Sequence, residues 1–475
     1  MVPNVKLGTL IRRMALPGSR DDGRKRDTMK VTKFAAFFLL VAASCSDDEG
    51  TVTTTAGGSA GSSTTSATTG TGGTTGSGGT SETGGRAGEG GSSGTGGSVG
   101  EEDAGPDTGG GGSGAISDGG LVPGQGPASM SNFDWGKAVI DTEIAGKTAY
   151  GTSYPEGLVL LGMYKAYKRT KEPRYLSFIT ASADSYGVAS GGSLDSIMHN
   201  TTLPNAFDLT MKAGYKAPSD GTRRIFDSYP KTSEGGFWHA KGDSRHDQLW
   251  GDGVFMSLSF LTRHSTIFND TSVYPIAVTQ LTVTGKHLLN PATGLLWHAW
   301  DESGQASWAD HPSKTNEIHW GRAMGWFGMA CVLTLEMLPQ GAAGRADVEK
   351  ILADLVTAWK KYQDPATGRW FQVVDKQTDE RNWTETSASS MYSYVTYWAY
   401  QHKLVDASFR EVAVKGFNGV MQKVTKDASN RTSISDICVG LNASDDVVGG
   451  YYNHGRATND RHGVGAFILM WEGMQ

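Results

Sequence analysis

Residues 246–256 read HDQLWGDGVFM. Asp252 stands between two glycines, after Trp250 and before Val254, Phe255 and Met256. A carboxyl group walled by Trp250 and Phe255 loses hydration, which disfavours its charged form and raises its pKa. An acid kept protonated near neutral pH is what general acid catalysis requires. The same place, at the head of an apolar helical stretch, also suits a helix N-cap, and Asp is a good one. A helix N-terminus pulls the pKa the other way. Asp195, in LDSIMHN, has the same two readings. Two acids from separate hairpins can face one cavity, and sugar chemistry uses such pairs, their separation deciding the mechanism.

Four further segments mix aromatic and basic residues: FWHAK (237–241), GLLWHAWDES (294–303), WADHP (308–312) and HWGRAMGW (319–326). A single His or Trp in such a place is ordinarily structural. Their recurrence points to a cleft, where flat aromatic faces and nearby polar groups suit sugar rings. His239, Lys241, His298 and Arg322 supply donors or positive charge for an anionic sugar. Trp238, Trp250, Trp297, Trp300, Trp308, Trp320, Trp326 and Trp370 fall near helix junctions.

Helical periodicity must position these residues. Glu156–Thr170 carries apolar residues at three- and four-residue spacings and ends on basic ones. Pro173–Tyr186, Thr202–Ala213, Val254–His264, Ser272–Leu289, Arg322–Leu338, Ala346–Gln363, Thr386–His402, Ser408–Val424 and Gly463–Gly473 read alike. Strand-like alternation is scarce, with Trp370–Val374 the best case. Stacked helical hairpins without heptads predict an all-α domain closed into an α/α toroid. An open α-solenoid is the alternative, but no short fixed repeat supports it.

The 475 residues do not all read as folded. Residues 46–128 are mostly Gly, Ser and Thr and lack the apolar side chains needed to offset ordering entropy. They predict a flexible linker, of which about 75 Gly/Ser-rich residues give a reach of roughly 50 Å. Residues 129–475 are then the globular domain. Residues 1–45 comprise an N-terminal extension and an export signal: Met29-Lys30-Val31-Thr32-Lys33, the apolar run 34–43, then Ser44-Cys45. Cys45 before a polar linker resembles a bacterial lipoprotein signal and predicts lipidation there, so that an exported domain is tethered to the outer membrane or cell surface. An ordinary cleaved signal is the other reading. Membrane contact is expected only through that anchor.

The formal net charge is −6, and the part from residue 129 onward holds 33 basic against 36 acidic residues. A near-neutral domain has no global field for nucleic acid. Cys331, in MACVLTLEML, reads as a packed core thiol rather than half of a disulfide. The histidines form no HExxH pattern, CxxC is absent, and no GxSxG elbow occurs from residue 129 onward.

Taken together, LWGDGVFM, TGLLWHAWDES, WGRAMGW, TGRWFQVVD, ETSASSMYSY and NDRHGVGAFIL, in that order, resemble glycoside hydrolase family 105, the unsaturated rhamnogalacturonyl or glycuronyl hydrolases, and more distantly family 88. The resemblance runs from about Tyr150 to the C-terminus. It implies an (α/α)6 barrel, a six-hairpin toroid, acting on oligosaccharides that a pectin-type lyase has left with a 4,5-unsaturated uronic acid at the non-reducing end; a monomer is expected. It implies Asp252 as acid and base, with Asp195 assisting. Tyr154, His239, Lys241, Trp250, His298, Arg322 and Trp326 would bind substrate. No metal or organic cofactor is implied. Three departures from the family pattern stand out: Gly251 where a branched residue is usual, Ala323-Met324 in place of Gly-Asn, and Lys231 where Arg is common. A conventional toroid glycosidase using Asp195 and Asp252 as a pair, and a non-catalytic glycan-binding lipoprotein, are the competing readings.

Overall fold

The computed structural model describes residues 125–475; the export signal, Cys45 and the linker up to residue 124 lie outside the described residues. Within them the chain forms thirteen α-helices. They are α1 (Trp135–Glu143), α2 (Tyr154–Thr170), α3 (Pro173–Asp184), α4 (Asp195–Met198), α5 (Thr202–Thr210), α6 (Lys216–Ile225), α7 (Gly251–Phe268), α8 (Val273–Leu288), α9 (Gly321–Met337), α10 (Arg345–Lys361), α11 (Thr386–Gln401), α12 (Ser408–Met421) and α13 (Arg461–Gly473).

Inner and outer helices alternate along the chain. The inner ring packs α2 on α4 and α5, these on α7, then α9, α11 and α13, and α13 returns to α2. The outer layer is α1, α3, α6, α8, α10 and α12. This is the six-hairpin toroid expected from the sequence. Burial follows the layers. Every residue of α9 except Glu336 is buried, whereas α10 buries one face through Val348, Leu352, Leu355, Val356 and Trp359. Such a difference is what an all-apolar core helix and an amphipathic surface helix require.

The ring closes on small residues. A side chain on Gly465 of α13 would meet Leu158 of α2 at 2.5 Å, and one on Gly162 would meet Ile468 at 2.7 Å. Glycine at both positions lets the two helices approach backbone to side chain. Arg169 then clasps the seam, reaching Asp134 at 2.9 Å and Glu472 at 2.7 Å.

All ten helices expected from periodicity form, with ends shifted by a few residues. Three more complete the thirteen, of which α4 is a single turn of four residues. α1 is only nine residues long, and α6 (KAPSDGTRRI) contains Pro218 and Gly221, poor helix formers whose cost tertiary packing overrides. The expected strand Trp370–Val374 pairs only over Trp370–Phe371. Residues before 129 also belong to the folded domain. Gly126 and Ala128 donate backbone hydrogen bonds to Gln475 and Met474, filling carbonyls left open at the end of α13. Cys331 and Cys438 are buried free thiols.

Candidate active site

Short extended segments lead into the inner helices, and their backbone bonds form a collar around one mouth of the ring. Leu194 donates to His239, and His239 to Gln248. Strand β1 (Gln248–Trp250) pairs antiparallel with β2 (Ala299–Asp301) and runs directly into α7. Gly251 donates to His298, His298 to Ile318, Gly321 to Gln372, and Thr386 to Asp436. The collar decides which side chains meet. Trp250 lies opposite Ala299, so His298 comes beside the first turn of α7; His239 is held between Asp195 and Trp250.

Tyr154, Asp195, Asp252, Arg322 and His462 each sit in the first turn of an inner helix. Their helices therefore present partial positive charge at the same mouth. A cavity of about 190 Å³ opens there, lined by Tyr154, Asp195, His239, Arg245, Trp250, Asp252 and Gly440–Leu441–Asn442. It shares Arg245, Trp250 and Asn442 with a second cavity of about 550 Å³ that extends past Gln248, Ser307 and Trp308. The two make one cleft.

Neither acid caps its helix. The N-cap of α7 is Trp250 and that of α4 is Leu194, so Asp252 and Asp195 are first-turn residues with side chains directed elsewhere. Oδ2 of Asp252 lies 3.2 Å from Nε2 of His298, whose side chain is fully buried. The contact is short but poorly aligned, and neither atom has another partner. Nδ1 of His298 lies 2.8 Å from the Tyr451 hydroxyl, which accepts at 2.8 Å from Asn316. This second set of bonds fixes the ring. Asp195 Oδ2 lies 3.4 Å from His239 Nε2 and 4.0 Å from an Arg245 nitrogen. The His239 ring stacks on Trp250 with centroids 4.2 Å apart.

The sequence left the Asp252 pKa between aromatic burial, which raises it, and the helix N-terminus, which lowers it; in the structure it is lowered. Burial does push the carboxyl up. The contact and charge of His298, with the charges of His239 and Arg322 behind it, outweigh burial and hold it below the usual aspartate value. The aromatic walls were legible in the sequence, whereas the cations that oppose them arrive from other hairpins.

Arg322 does not enter the cavity as a free cation. Its guanidinium donates to the Cys438 carbonyl and, at 2.7 Å, to that of Val439, and it lies 4.7 Å from the Trp320 ring. It thereby fixes the segment that carries Gly440 to Asn442 into the cavity wall. Burial works against its charge, but nearby negative groups, among them Glu385 and Asp252, keep its pKa raised.

Two expected substrate contacts are displaced. Lys241 is exposed, with its ammonium 5.0 Å from the Tyr229 ring, outside the cavity. Trp326 lies one turn deeper than Arg322 and stacks on Phe255 at 4.7 Å, in the core. Other Trp–His pairings stack away from the cavity lining, such as Trp297 on His319 and Trp300 on His287.

Sequence reasoning missed His462, Asp460 and the Gly440–Asn442 segment. Tyr154 and His462 are held 2.6 Å apart, and His462 contacts Asp460 at 2.6 Å. His462 lies within NDRHGVGAFIL, but only the fold shows that it faces Tyr154. Two of the departures from the family pattern meet in space. A side chain on Gly251 would come within 3.0 Å of the Ala323 carbonyl, so a branched residue there would force α7 and α9 apart. Lys231 lies 5.4 Å from the Phe237 ring, outside the cavity lining.

Known proteins resemble this chain. Protein Atu3128 of Agrobacterium fabrum is 37% identical over 106 residues, 22% of this chain, and the chain spans only 43% of that relative's length. The unsaturated rhamnogalacturonyl hydrolase YesR of Bacillus subtilis is 22% identical over 255 residues, covering 51% of this chain and 69% of that protein. Among solved structures, a family 105 glycoside hydrolase from C. acetobutylicum ATCC 824 superposes with a TM-score of 0.67 at 29% identity, over 72% of this chain and 99% of that one. Residues 131–474, which hold the whole toroid and every residue of the cleft, match the model of Glycosyl Hydrolase Family 88, and the chain belongs to that family.

Proposed function

We propose that this glycoside hydrolase removes a 4,5-unsaturated uronic acid from the non-reducing end of lyase-generated oligosaccharides, by hydrating its vinyl ether. The observation that carries this reading is Asp252 itself. It is a carboxyl at the cavity wall, 14% exposed, whose Oδ2 has only His298 beside it, opposite a second acid, Asp195. The sequence similarity to the Bacillus subtilis unsaturated rhamnogalacturonyl hydrolase supports the same reading.

The chemistry needs one proton donor that then becomes a base. Protonated Asp252 gives its proton to C4, positive charge develops at C5 and is shared with the ring oxygen, and water adds at C5 as it returns a proton to Asp252. The hemiketal then opens and releases the remaining chain. In the free enzyme Asp252 is held below its usual pKa. A bound uronate adds a negative charge to a cavity already holding Asp195 and Asp252, and like charges raise a carboxyl pKa. Substrate binding itself thus loads the proton.

The second cavity, past Trp250 toward Trp308, is wide enough to hold the sugars that follow the uronate. We propose rhamnose as one such neighbour. The export signal and lipid anchor at Cys45 remain part of the same reading, in which a tethered enzyme meets soluble oligosaccharides; Cys45→Ser should move the protein out of the membrane fraction.

Unsaturated uronides absorb near the ultraviolet edge. Loss of that absorbance on adding enzyme, abolished in Asp252→Asn, is the expected result. Cleavage of saturated glycans without any absorbance loss would favour the conventional acid pair, and binding without turnover the non-catalytic reading.

A further inference from the structure

Tyr154, His462 and Asp460 form a hydrogen-bonded chain that ends in the cavity. Asp460 opens α13 and accepts from the His462 backbone N–H at 2.9 Å. Its carboxylate also lies 2.6 Å from His462 Nδ1, and His462 Nε2 lies 2.6 Å from the Tyr154 hydroxyl. An ionised carboxylate only accepts, so the imidazole proton sits on Nδ1. Nε2 is then the bare nitrogen, and Tyr154 donates to it. The hydroxyl lone pairs of Tyr154 are left for the cavity.

The surroundings keep this polarity. The groups facing His462 are Asp460 beside it, Tyr154 on α2, Arg322 on α9 and Glu385 at the head of α11. Burial and the Arg322 charge push the imidazole below its usual pKa, against the pull of Asp460. Burial pushes the Tyr154 phenol up. The resting chain is therefore neutral imidazole and neutral phenol. Gly440 leaves it uncovered: a side chain there would sit 3.6 Å from both the Tyr154 oxygen and the His462 ring.

We propose that Tyr154, relayed through His462 to Asp460, is a second proton acceptor of the reaction, serving the opening of the hemiketal. This rests on the hydration reading given above. After water has added, Asp252 is again protonated and the hemiketal is neutral. The C5 hydroxyl gives its proton to the Tyr154 oxygen as the Tyr154 proton passes to His462 Nε2. The bond from C5 to the ring oxygen breaks, C5 becomes a ketone, and the ring oxygen takes the proton from Asp252; the hemiacetal this leaves at C1 then collapses to the aldehyde, its hydroxyl proton passing to the glycosidic oxygen as the sugar leaves. His462 is then an imidazolium facing Asp460, and Asp252 a carboxylate. Return of one proton from His462 through Tyr154 and water to Asp252 restores the starting state, with no other reactant.

The test separates hydration from opening by following vinyl absorbance in stopped flow on an unsaturated disaccharide. In the wild type, absorbance falls at one rate from the first turnover. In Tyr154→Phe and His462→Gln, hydration proceeds but opening lags. The first turnover should then give a burst approaching one equivalent per site, followed by a steady state slower by about tenfold or more. Gly440→Ala, which covers the relay without altering it, should also give a burst. Slow turnover without a burst, or a change confined to KM, would overturn the relay. A wild type that consumes no vinyl absorbance would instead remove the hydration reading, before the relay is in question.

Discussion

Nε2 of His298 lies 3.2 Å from Oδ2 of Asp252, while Nδ1 of the same ring is anchored 2.8 Å from the Tyr451 hydroxyl. A fully buried imidazole held from behind therefore faces the proposed acid. The pair explains why burial alone does not decide the protonation of Asp252, since the desolvation that favours the neutral acid is outweighed by the His298 contact and the charges around it.

Replacing His298 by Gln should move the pH profile upward. In the wild type kcat/KM falls as pH rises through the low pKa of Asp252, because the free enzyme loses its acid. Without His298 the burial effect is less opposed, so the alkaline limb of kcat/KM should shift to higher pH. Stability follows with its own sign. A carboxyl with a depressed folded pKa contributes stability above its unfolded value of about 3.9, and that contribution disappears as pH falls through the folded value. In His298→Gln a folded pKa above about 3.9 would reverse this, so stability would fall as pH rises through that value. Melting temperatures across pH 3 to 8, set beside the rate profile, check both; an unmoved alkaline limb would mean that His298 does not govern Asp252.

Binding of an anionic ligand should take up protons. The cavity holds Asp195 and Asp252 before any uronate enters, and its carboxylate is a third negative group. A saturated uronide of the same charge, which cannot react, should bind with proton uptake below neutral pH. Calorimetry in buffers of different ionisation enthalpy measures this directly. The uptake should shrink in Asp252→Asn, which has no carboxyl to load.

Much of this was legible in the sequence, and the limits have physical causes. The inner helices declare themselves because their apolar residues recur on every turn, as in EGLVLLGMYKAY, and their first turns hold Asp195, Asp252 and Arg322. What periodicity does not carry is the pairing of hairpins. Tyr154 and His462 are 308 positions apart, and Asp252 reaches His298 only because β1 pairs with β2. The Gly440–Asn442 segment has neither helical nor alternating pattern, so nothing local marked it as cavity wall. Burial of Asp252 between aromatics was foreseen, but its net pKa direction depended on charges that converge only in the folded ring.

Arg322→Lys should loosen that wall. The guanidinium bridges two successive carbonyls, Cys438 and Val439, just before the residues that line the cavity. A lysine ammonium is a point donor and cannot reproduce the fork. Leaving one buried carbonyl unpaired costs about 1–3 kcal/mol. The expected signature is a lower denaturation midpoint and a KM that rises more than kcat falls, as the Gly440–Asn442 wall loses its anchor. A large loss of kcat at constant KM would place Arg322 in direct contact with the reacting sugar.

Lys241 and Trp326 provide the converse case, because each is close in sequence to a cavity residue and apart from the cavity in space. Lys241 follows His239 by two positions, yet its ammonium rests over Tyr229 at the surface. Lys241→Ala should leave KM within about twofold, since an exposed cation–π contact is worth only about 0.5–1 kcal/mol and none of it is spent on substrate. Trp326 shares a helix face with Arg322 but sits one turn, about 6 Å, further from the mouth. There it stacks on Phe255 and is almost fully buried. Trp326→Ala should cost about 3–5 kcal/mol through the cavity it leaves. Assayed well below its unfolding transition, the variant should retain the wild-type KM. A raised KM in a variant shown by its melting curve to be folded would mean that the ring reaches substrate after movement of α7 or α9, and the cleft would then extend deeper than its present wall.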